Sequence, residues 1–300
     1  MTTPADTLPE FRPRAVVRRT LTWYAAHARD LPWRRPGTSP WAVMVSEFML
    51  QQTPVERVRG PWTVWMDRWP TPDALAAAPA GEAVRAWGRL GYPRRALRLH
   101  QAAVVITERF DGQVPADRGA LLSLPGVGSY TAAAIASFAF GRREIVLDTN
   151  VRRVLSRVVL GRAHPPATLT ASEIAVAERL APRDPAVAAR WAVASMELGA
   201  VVCLARAPRC DTCPVRDLCA WRAAGTPAWT GPPRRGQAYA GTDRQCRGAL
   251  LAVLRSTDGP VEHAELEAAW ADAVQRERAL DSLIADGLVI ATTDRWSLPG

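Results

Sequence analysis

The sequence predicts a mainly α-helical protein with a small helical tail that ends in a hairpin. Apolar residues recur at three- and four-residue spacing through ten successive segments, Gly or Pro stands at the breaks, and strand-like alternation is nearly absent before residue 288. With 300 residues, 48% hydrophobic and 22% charged, there is chain enough for one large or two to three small domains, which argues against disorder or fibre. The longest apolar run, 132–140, is interrupted by Ser137 and falls short of the roughly 18–20 residues of a membrane helix. No basic flank followed by an apolar stretch opens the chain. The expected compartment is the cytoplasm, with nucleoid association and no membrane partner.

In order, helices are expected over 14–28, 41–51, 58–69, 81–89, 94–110, 117–122, 130–140, 150–160, 172–180 and 185–202. Residues 223–244 are rich in Gly, Pro and Arg without periodicity and read as a linker. Helices are then expected over 245–255, 262–270 and 273–285, the last closed by Gly287. Strands over 288–291 and 295–298 follow, joined through Thr292-Thr293-Asp294. Three helices and a terminal hairpin suggest a winged-helix-like C-terminal domain over 245–300.

All 38 basic residues are Arg; the chain has no Lys. A Schiff-base lyase and a Walker ATPase both need that amine and are excluded. Residues 1–244 hold 33 Arg against 20 acids, net +13, whereas residues 245–300 hold 5 against 9, net −4. A basic body fits a polyanion partner. An acidic tail gains nothing from counterion release on DNA, so it is expected to brace the body or contact another protein.

Cys203, Cys210, Cys213 and Cys219 are spaced C-x6-C-x2-C-x5-C, while Cys246 stands apart. Four thiols within 17 residues of a cytosolic chain read as a metal site and not as a disulfide framework. An iron–sulfur cluster is favoured, with zinc left open by spacing alone. Arg206 and Arg209 in the first loop, and Arg216 and Arg222 near the last ligand, would make a rigid cationic surface.

Leu124-Pro125-Gly126-Val127-Gly128 lies between two helical segments. Its glycines can turn backbone N–H groups outward at a helix N-terminus, where a phosphate oxygen is held without reading sequence. The plain alternative is a tight turn between core helices. Gly126, Val127 and Gly128 are therefore candidate contacts to a DNA backbone, in a helix–hairpin–helix.

Two acids are unusual. Glu47 is embedded in Trp41-Ala42-Val43-Met44-Val45-Ser46-Glu47-Phe48-Met49-Leu50, and Asp148 follows Ile145-Val146-Leu147 at a helix start. For Asp148 a plain N-cap is a good alternative. A carboxyl in apolar surroundings can hold a proton near neutral pH, whereas one at a helix N-terminus is expected to stay ionised. Such a pair suits the breaking of a glycosidic bond.

Ser46-Glu47-Phe48-Met49-Leu50-Gln51-Gln52-Thr53, the Leu124–Gly128 hairpin, Leu147-Asp148-Thr149-Asn150-Val151, Met196-Glu197-Leu198-Gly199-Ala200 and the cysteine run occur in this order. The chain thereby resembles adenine DNA glycosylases of the MutY type, in the helix–hairpin–helix glycosylase superfamily, over about residues 14–222. The hairpin and cysteines are shared with endonuclease III-like enzymes; the Ser46–Thr53 string discriminates.

The resemblance implies a six-helix barrel over 38–145 and a [4Fe–4S] cluster domain over 146–222 that includes the N-terminal segment 1–37, with the active site in a cleft. It also implies a monovalent cation at the hairpin. The partner would be double-stranded DNA with a mismatched adenine, bound by a monomer. Glu47 would protonate the flipped adenine, Asp148 would stabilise or capture the sugar cation, and Tyr130 would hydrogen-bond near Asp148. Tyr130 stands where lyase members carry Lys, which implies a monofunctional glycosylase. Arg29, Trp33, Arg34, Val55 and Glu197 would line the adenine pocket, while Gln52, Thr53, Leu90 and Tyr92 would contact the opposite oxidised guanine. Arg29 and Arg34 could also be plain surface charges, and Leu90 and Tyr92 core residues.

Two features depart from the family. Pro93 replaces the second Tyr of a Gly-Tyr-Tyr sequence, and the tail of 56 residues cannot be the Nudix-like domain with which family members recognise 8-oxoguanine. Two other readings stay open: a thymine or uracil glycosylase acting opposite guanine, and a non-catalytic iron–sulfur DNA sensor.

Overall fold

Helix starts follow capping chemistry written in the chain. The side chains of Ser39, Thr71, Asp148, Thr170, Asp184, Thr242 and Asp272 each accept a first-turn backbone N–H, as these residue types do at N-caps. Pro40, Pro72 and Pro185 occupy the next position, where the missing donor costs nothing. The computed structural model describes residues 12–231 and 239–300. Residues 1–11 and 232–238 fall outside it, and with them part of the expected N-terminal segment 1–37 and of the linker 223–244.

In chain order the helices are α1 (Pro13–His27), α2 (Pro40–Leu50), α3 (Val55–Arg68), α4 (Pro72–Ala76), α5 (Ala80–Trp87), α6 (Arg94–Arg109), α7 (Arg118–Leu122) and α8 (Ser129–Phe140). There follow α9 (Thr149–Val158), α10 (Ala171–Leu180), α11 (Pro185–Val201), α12 (Ala220–Ala223), α13 (Asp243–Ser256), α14 (His263–Ala269) and α15 (Ala273–Ala285). Helix α4 has too few residues to show a period, so periodicity alone does not find it; its signal is Thr71-Pro72-Asp73, a cap followed by a first-turn proline. None of the described helices is long and apolar enough to cross a membrane.

The chain divides into two units. The first comprises Met1–Pro36, Ala116–Arg118 and Gly128–Pro232. Its core is built from Val16 and Val17 of α1, Val151, Val154, Leu155 and Val158 of α9, Val176 and Leu180 of α10, and Trp191 and Leu198 of α11. Val215 and Cys219 join the same core, so the cysteine segment is packed and not a loose appendage.

The second unit comprises Gly37–Pro115, Gly119–Val127 and Pro233–Gly300. Met44, Phe48 and Met49 of α2, Trp65 of α3, Leu75 of α4, Trp87 of α5 and Ile106 of α6 are fully buried. Trp65 meets Trp69 and Trp87 edge-on, with centroids 4.7 and 5.6 Å apart. The C-terminal domain packs α13 on α14 and α15 around Cys246, Leu250, Leu254, Leu266, Leu280 and Leu283. Its sheet holds three antiparallel strands in the order β1 (Val261–Glu262), β3 (Arg295–Ser297), β2 (Ile290–Ala291). The helix expected over 262–270 starts one residue later: Glu262 ends β1 and is the N-cap of α14, where its side chain and that of Glu265 form a capping box.

This domain also belongs by contact to the second unit. Arg255 donates to the carbonyls of Val84 (3.0 Å) and Gly88 (2.7 Å) at the end of α5. Arg85 of α5 answers with bonds to the Arg255 and Thr257 carbonyls. Gly81 must be glycine there: a Cβ would sit 2.4 Å from the Pro299 carbonyl oxygen.

Candidate active site and cluster pocket

In the first unit, Asp148 caps α9. Its Oδ1 accepts from Val151 N (2.6 Å) and its Oδ2 from Asn150 Nδ2 (2.7 Å). Burial pushes this carboxyl above the usual aspartate range; the cap bonds and Arg153 oppose that shift and do not cancel it. Arg153, itself buried, donates to Asn150 Oδ1 (2.7 Å), the Gly199 carbonyl (2.6 Å) and the Cys203 carbonyl (2.7 Å). A Cβ at position 199 would lie 2.7 Å from Asn150 O, so Gly199 lets α11 approach the start of α9. Tyr130, half-buried, packs near Ala133, Ala134, Val146 and Ala192.

Arg29, Arg34 and Glu197 converge. Glu197 is completely buried. Its Oε1 accepts from Arg29 Nε (2.6 Å), and its Oε2 from Arg29 Nη2 (2.9 Å) and Arg34 Nη1 (2.7 Å). Burial works against the charged form, but the two guanidiniums outweigh it and hold the carboxyl below the usual glutamate range. Arg29 and Arg34 are thus not plain surface charges. Trp33, 5% exposed, lies in the 3₁₀ turn Pro32–Arg34 that delivers Arg34.

In the second unit, Glu47 is 6% exposed on α2, beside the fully buried Met44 and Phe48. Val55 begins α3 and is half-buried. The four residues expected to meet the opposite strand divide in two. Thr53 and Leu90 are buried, and the Thr53 hydroxyl donates to the Leu90 carbonyl at 3.2 Å. Gln52 and Tyr92 are exposed, and both take left-handed backbone conformations, φ +55° and +48°, which cost energy in a non-glycine residue and mark functional positions more often than others.

Arg95, which the sequence reading does not single out, ties these loops together. Its guanidinium is 9% exposed and donates to the Phe48 (2.8 Å), Met49 (3.1 Å), Gln51 and Gly91 (2.9 Å) carbonyls and to Thr53 Oγ1 (3.0 Å). Burial lowers its pKa to about 10. A signal was present: Arg95 stands four residues before Leu99 on the stripe that continues through Ala102 and Ile106, all buried.

At the hairpin, Val127 N–H closes a turn on the Leu124 carbonyl (3.1 Å), so its amide is engaged inside the loop. Gly126 (φ +79°) and Gly128 are exposed, and a Cβ on Gly126 would meet Phe48 at 2.9 Å. Gly128 is the N-cap of α8.

Cys203, Cys210, Cys213 and Cys219 line one pocket with Val158, Leu198, Pro208 and Trp221. Among the described residues, no three His, Cys, Asp or Glu side chains converge tightly enough for a single metal ion. Four thiols brought to one pocket are the donor set that a [4Fe–4S] cluster uses. Burial pushes the Cys213 thiol up to about 12 and raises Cys219, so a cationic centre is needed to hold them as thiolates. The buried Arg157 contributes positive charge, with Nη1 3.4 Å from Cys203 Sγ. Arg206, Arg209, Arg216 and Arg222 are exposed around the rim.

Comparison with known proteins agrees with this geometry. Residues 45–179 match the model of the HhH-GPD superfamily of base excision DNA repair proteins, and residues 203–219 match the iron–sulfur binding domain of endonuclease III. The adenine DNA glycosylase of Mycobacterium tuberculosis is 56% identical over 93% of this chain and 92% of its own. The human adenine DNA glycosylase is 44% identical over 66% of this chain and 38% of its own. Among solved structures, a thermostable thymine-DNA glycosylase superposes with a TM-score of 0.63 at 28% identity, covering 71% of this chain and 97% of that one.

Proposed function

This chain belongs to the adenine DNA glycosylase family of the HhH-GPD superfamily of base excision DNA repair proteins, and from that premise we propose that it hydrolyses the N-glycosidic bond of adenine mispaired with 8-oxoguanine or guanine. The observation that carries this reading is the contrast between two carboxyls: Glu47 buried on an apolar helix, and Asp148 fixed as a cap by Val151 and Asn150.

A duplex-embedded adenine is out of reach, so it is flipped from the stack. Glu47, as the acid, gives its proton to a ring nitrogen of the purine. The C1′–N9 bond then breaks with its electron pair leaving on the base. The Asp148 carboxylate stabilises the sugar cation until water adds at C1′ and loses a proton. Glu197, with Arg29 and Arg34, presents a polar wall to the adenine, and Trp33 and Val55 flank it. In this reading Tyr130 hydrogen-bonds near Asp148, and with no Lys in the chain there is no lysine amine for strand scission. The [4Fe–4S] cluster held by Cys203, Cys210, Cys213 and Cys219 supplies no step of the hydrolysis. The loop those cysteines define carries Arg206 and Arg209 to the DNA phosphates. A monovalent cation at the hairpin would be held by backbone carbonyls alone, since Leu124–Gly128 offers no polar side chain. Gln52 and Tyr92 contact the opposite strand, with Thr53 and Leu90 supporting them from behind.

Single-turnover assays on duplexes with A:8-oxoG, A:G, A:C, G:T and G:U, quenched with and without alkali, test the proposal. The wild type should yield an intact abasic strand from the adenine duplexes that breaks only in alkali. Glu47→Gln should still bind but lose about 10²–10⁴ in rate, the size of a general-acid contribution. Thymine release from G:T without adenine release would move the assignment to the thymine glycosylase reading.

A further inference from the structure

Two guanidiniums lie within cation–π distance of the Tyr92 ring. Arg95 lies 5.5 Å from guanidinium carbon to ring centroid, and Arg244 of the C-terminal domain lies 5.2 Å from the same centroid. Arg244 continues to Tyr239, 5.5 Å away. The result is a ladder, Arg95–Tyr92–Arg244–Tyr239, of alternating guanidiniums and rings.

Three features set this ladder apart from a docking contact. The domain is already anchored by Arg255 and Arg85 through bonds to backbone carbonyls, whereas Tyr92 and Tyr239 are 45% and 52% exposed. Arg244 has no carboxylate partner among the described residues; its neighbour Asp243 is taken by Arg278. Tyr92 is also one of the two exposed residues in strained left-handed backbone on the loops that Arg95 binds. Exposed rings with stacked, acid-free guanidiniums are the surface that nucleobases stack upon. The net charge of −4 over residues 245–300 conceals this because Arg244 precedes that segment by one residue.

We infer that Arg244 is a positioning residue for selection of the base opposite the adenine: together with Arg95 it holds the Tyr92 ring, from the C-terminal domain, so that this domain takes part in reading the opposite strand. The inference rests on the proposed contact of Gln52 and Tyr92 with that strand. It predicts that discrimination needs the flat guanidinium and not merely a positive charge.

The test uses the full-length protein and its Arg244→Ala and Arg244→Lys variants. Single-turnover kcat/KM would be measured on duplexes with adenine opposite 8-oxoguanine, guanine or cytosine, at several salt concentrations. Both variants should compress the ratio of the best to the worst duplex by about fivefold, the scale of one cation–π contact. If instead Arg244→Ala weakens all duplexes equally, lowers the salt slope by about one and is rescued by Arg244→Lys, Arg244 is only a phosphate contact and the inference fails. Unchanged ratios in both variants overturn it as well. Failure of the wild type to release adenine would sink the glycosylase assignment itself, a result distinct from either.

Discussion

Arg153 donates to the carbonyl oxygen of Cys203 at 2.7 Å while a second nitrogen of the same guanidinium holds Asn150, the residue that donates to Asp148. One buried side chain therefore joins the proposed cation-stabilising carboxylate to the first residue of the cluster loop. Replacing it loosens both ends at once. Arg153→Met should lower stability by about 2–4 kcal/mol, because several buried acceptors lose their donor. It should also speed loss of the cluster's visible absorbance in chelator, although Arg153 is not a ligand. Thermal unfolding and iron content measure the two effects separately, and a variant with unchanged iron retention would show that the Cys203 contact does not support the loop.

The raised Asp148 pKa has a defined consequence for rate. In the proposed mechanism its anion stabilises the sugar cation, so activity should fall as pH drops through the folded-state value. That limb should lie at higher pH than for an ordinary aspartate, because burial raises the group. A pH profile of the single-turnover rate would show it. Asp148→Asn should abolish both the limb and most of the rate.

For Glu197 the sign is opposite. Its carboxyl is held below the usual range, so its contribution to stability is complete above the unfolded-state value and is lost as pH falls through the folded one. Glu197→Gln should cost about 2–3 kcal/mol near neutrality, somewhat below the full cost of breaking a buried ion pair because both arginines reach solvent. The gap between variant and wild type in denaturant titrations should close in acid.

Arg95→Met should be the most damaging change outside the acids. Five acceptors from Phe48 to Gly91 would lose their donor, at a cost of roughly 3–5 kcal/mol. Discrimination of the opposite base should collapse even where folding is rescued at low temperature. The milder Arg95→Lys keeps charge but not the fork, and should restore stability only in part.

Gly81→Ala should displace the extreme C-terminus, since the added Cβ would clash with the Pro299 carbonyl. Limited proteolysis should then cut the tail faster, while Gly60→Ala, with open space at its Cβ, should not.

The sequence by itself determined the helical class, the order of most helices and the five motifs on which the proposed chemistry rests. Those signals are local: period, caps, a glycine turn, cysteine spacing, an acid inside an apolar helix. Tertiary structure alone decided what the arginines do. Arg29 and Arg34 meet Glu197 across more than 160 residues of chain, and Arg244 meets Tyr92 across about half of it. In a chain with 38 arginines, no local pattern separates a solvated guanidinium from one buried against carbonyls. That distinction depends on which distant acceptors the fold brings within about 3 Å, since a buried cation survives only where such acceptors replace the water it has lost.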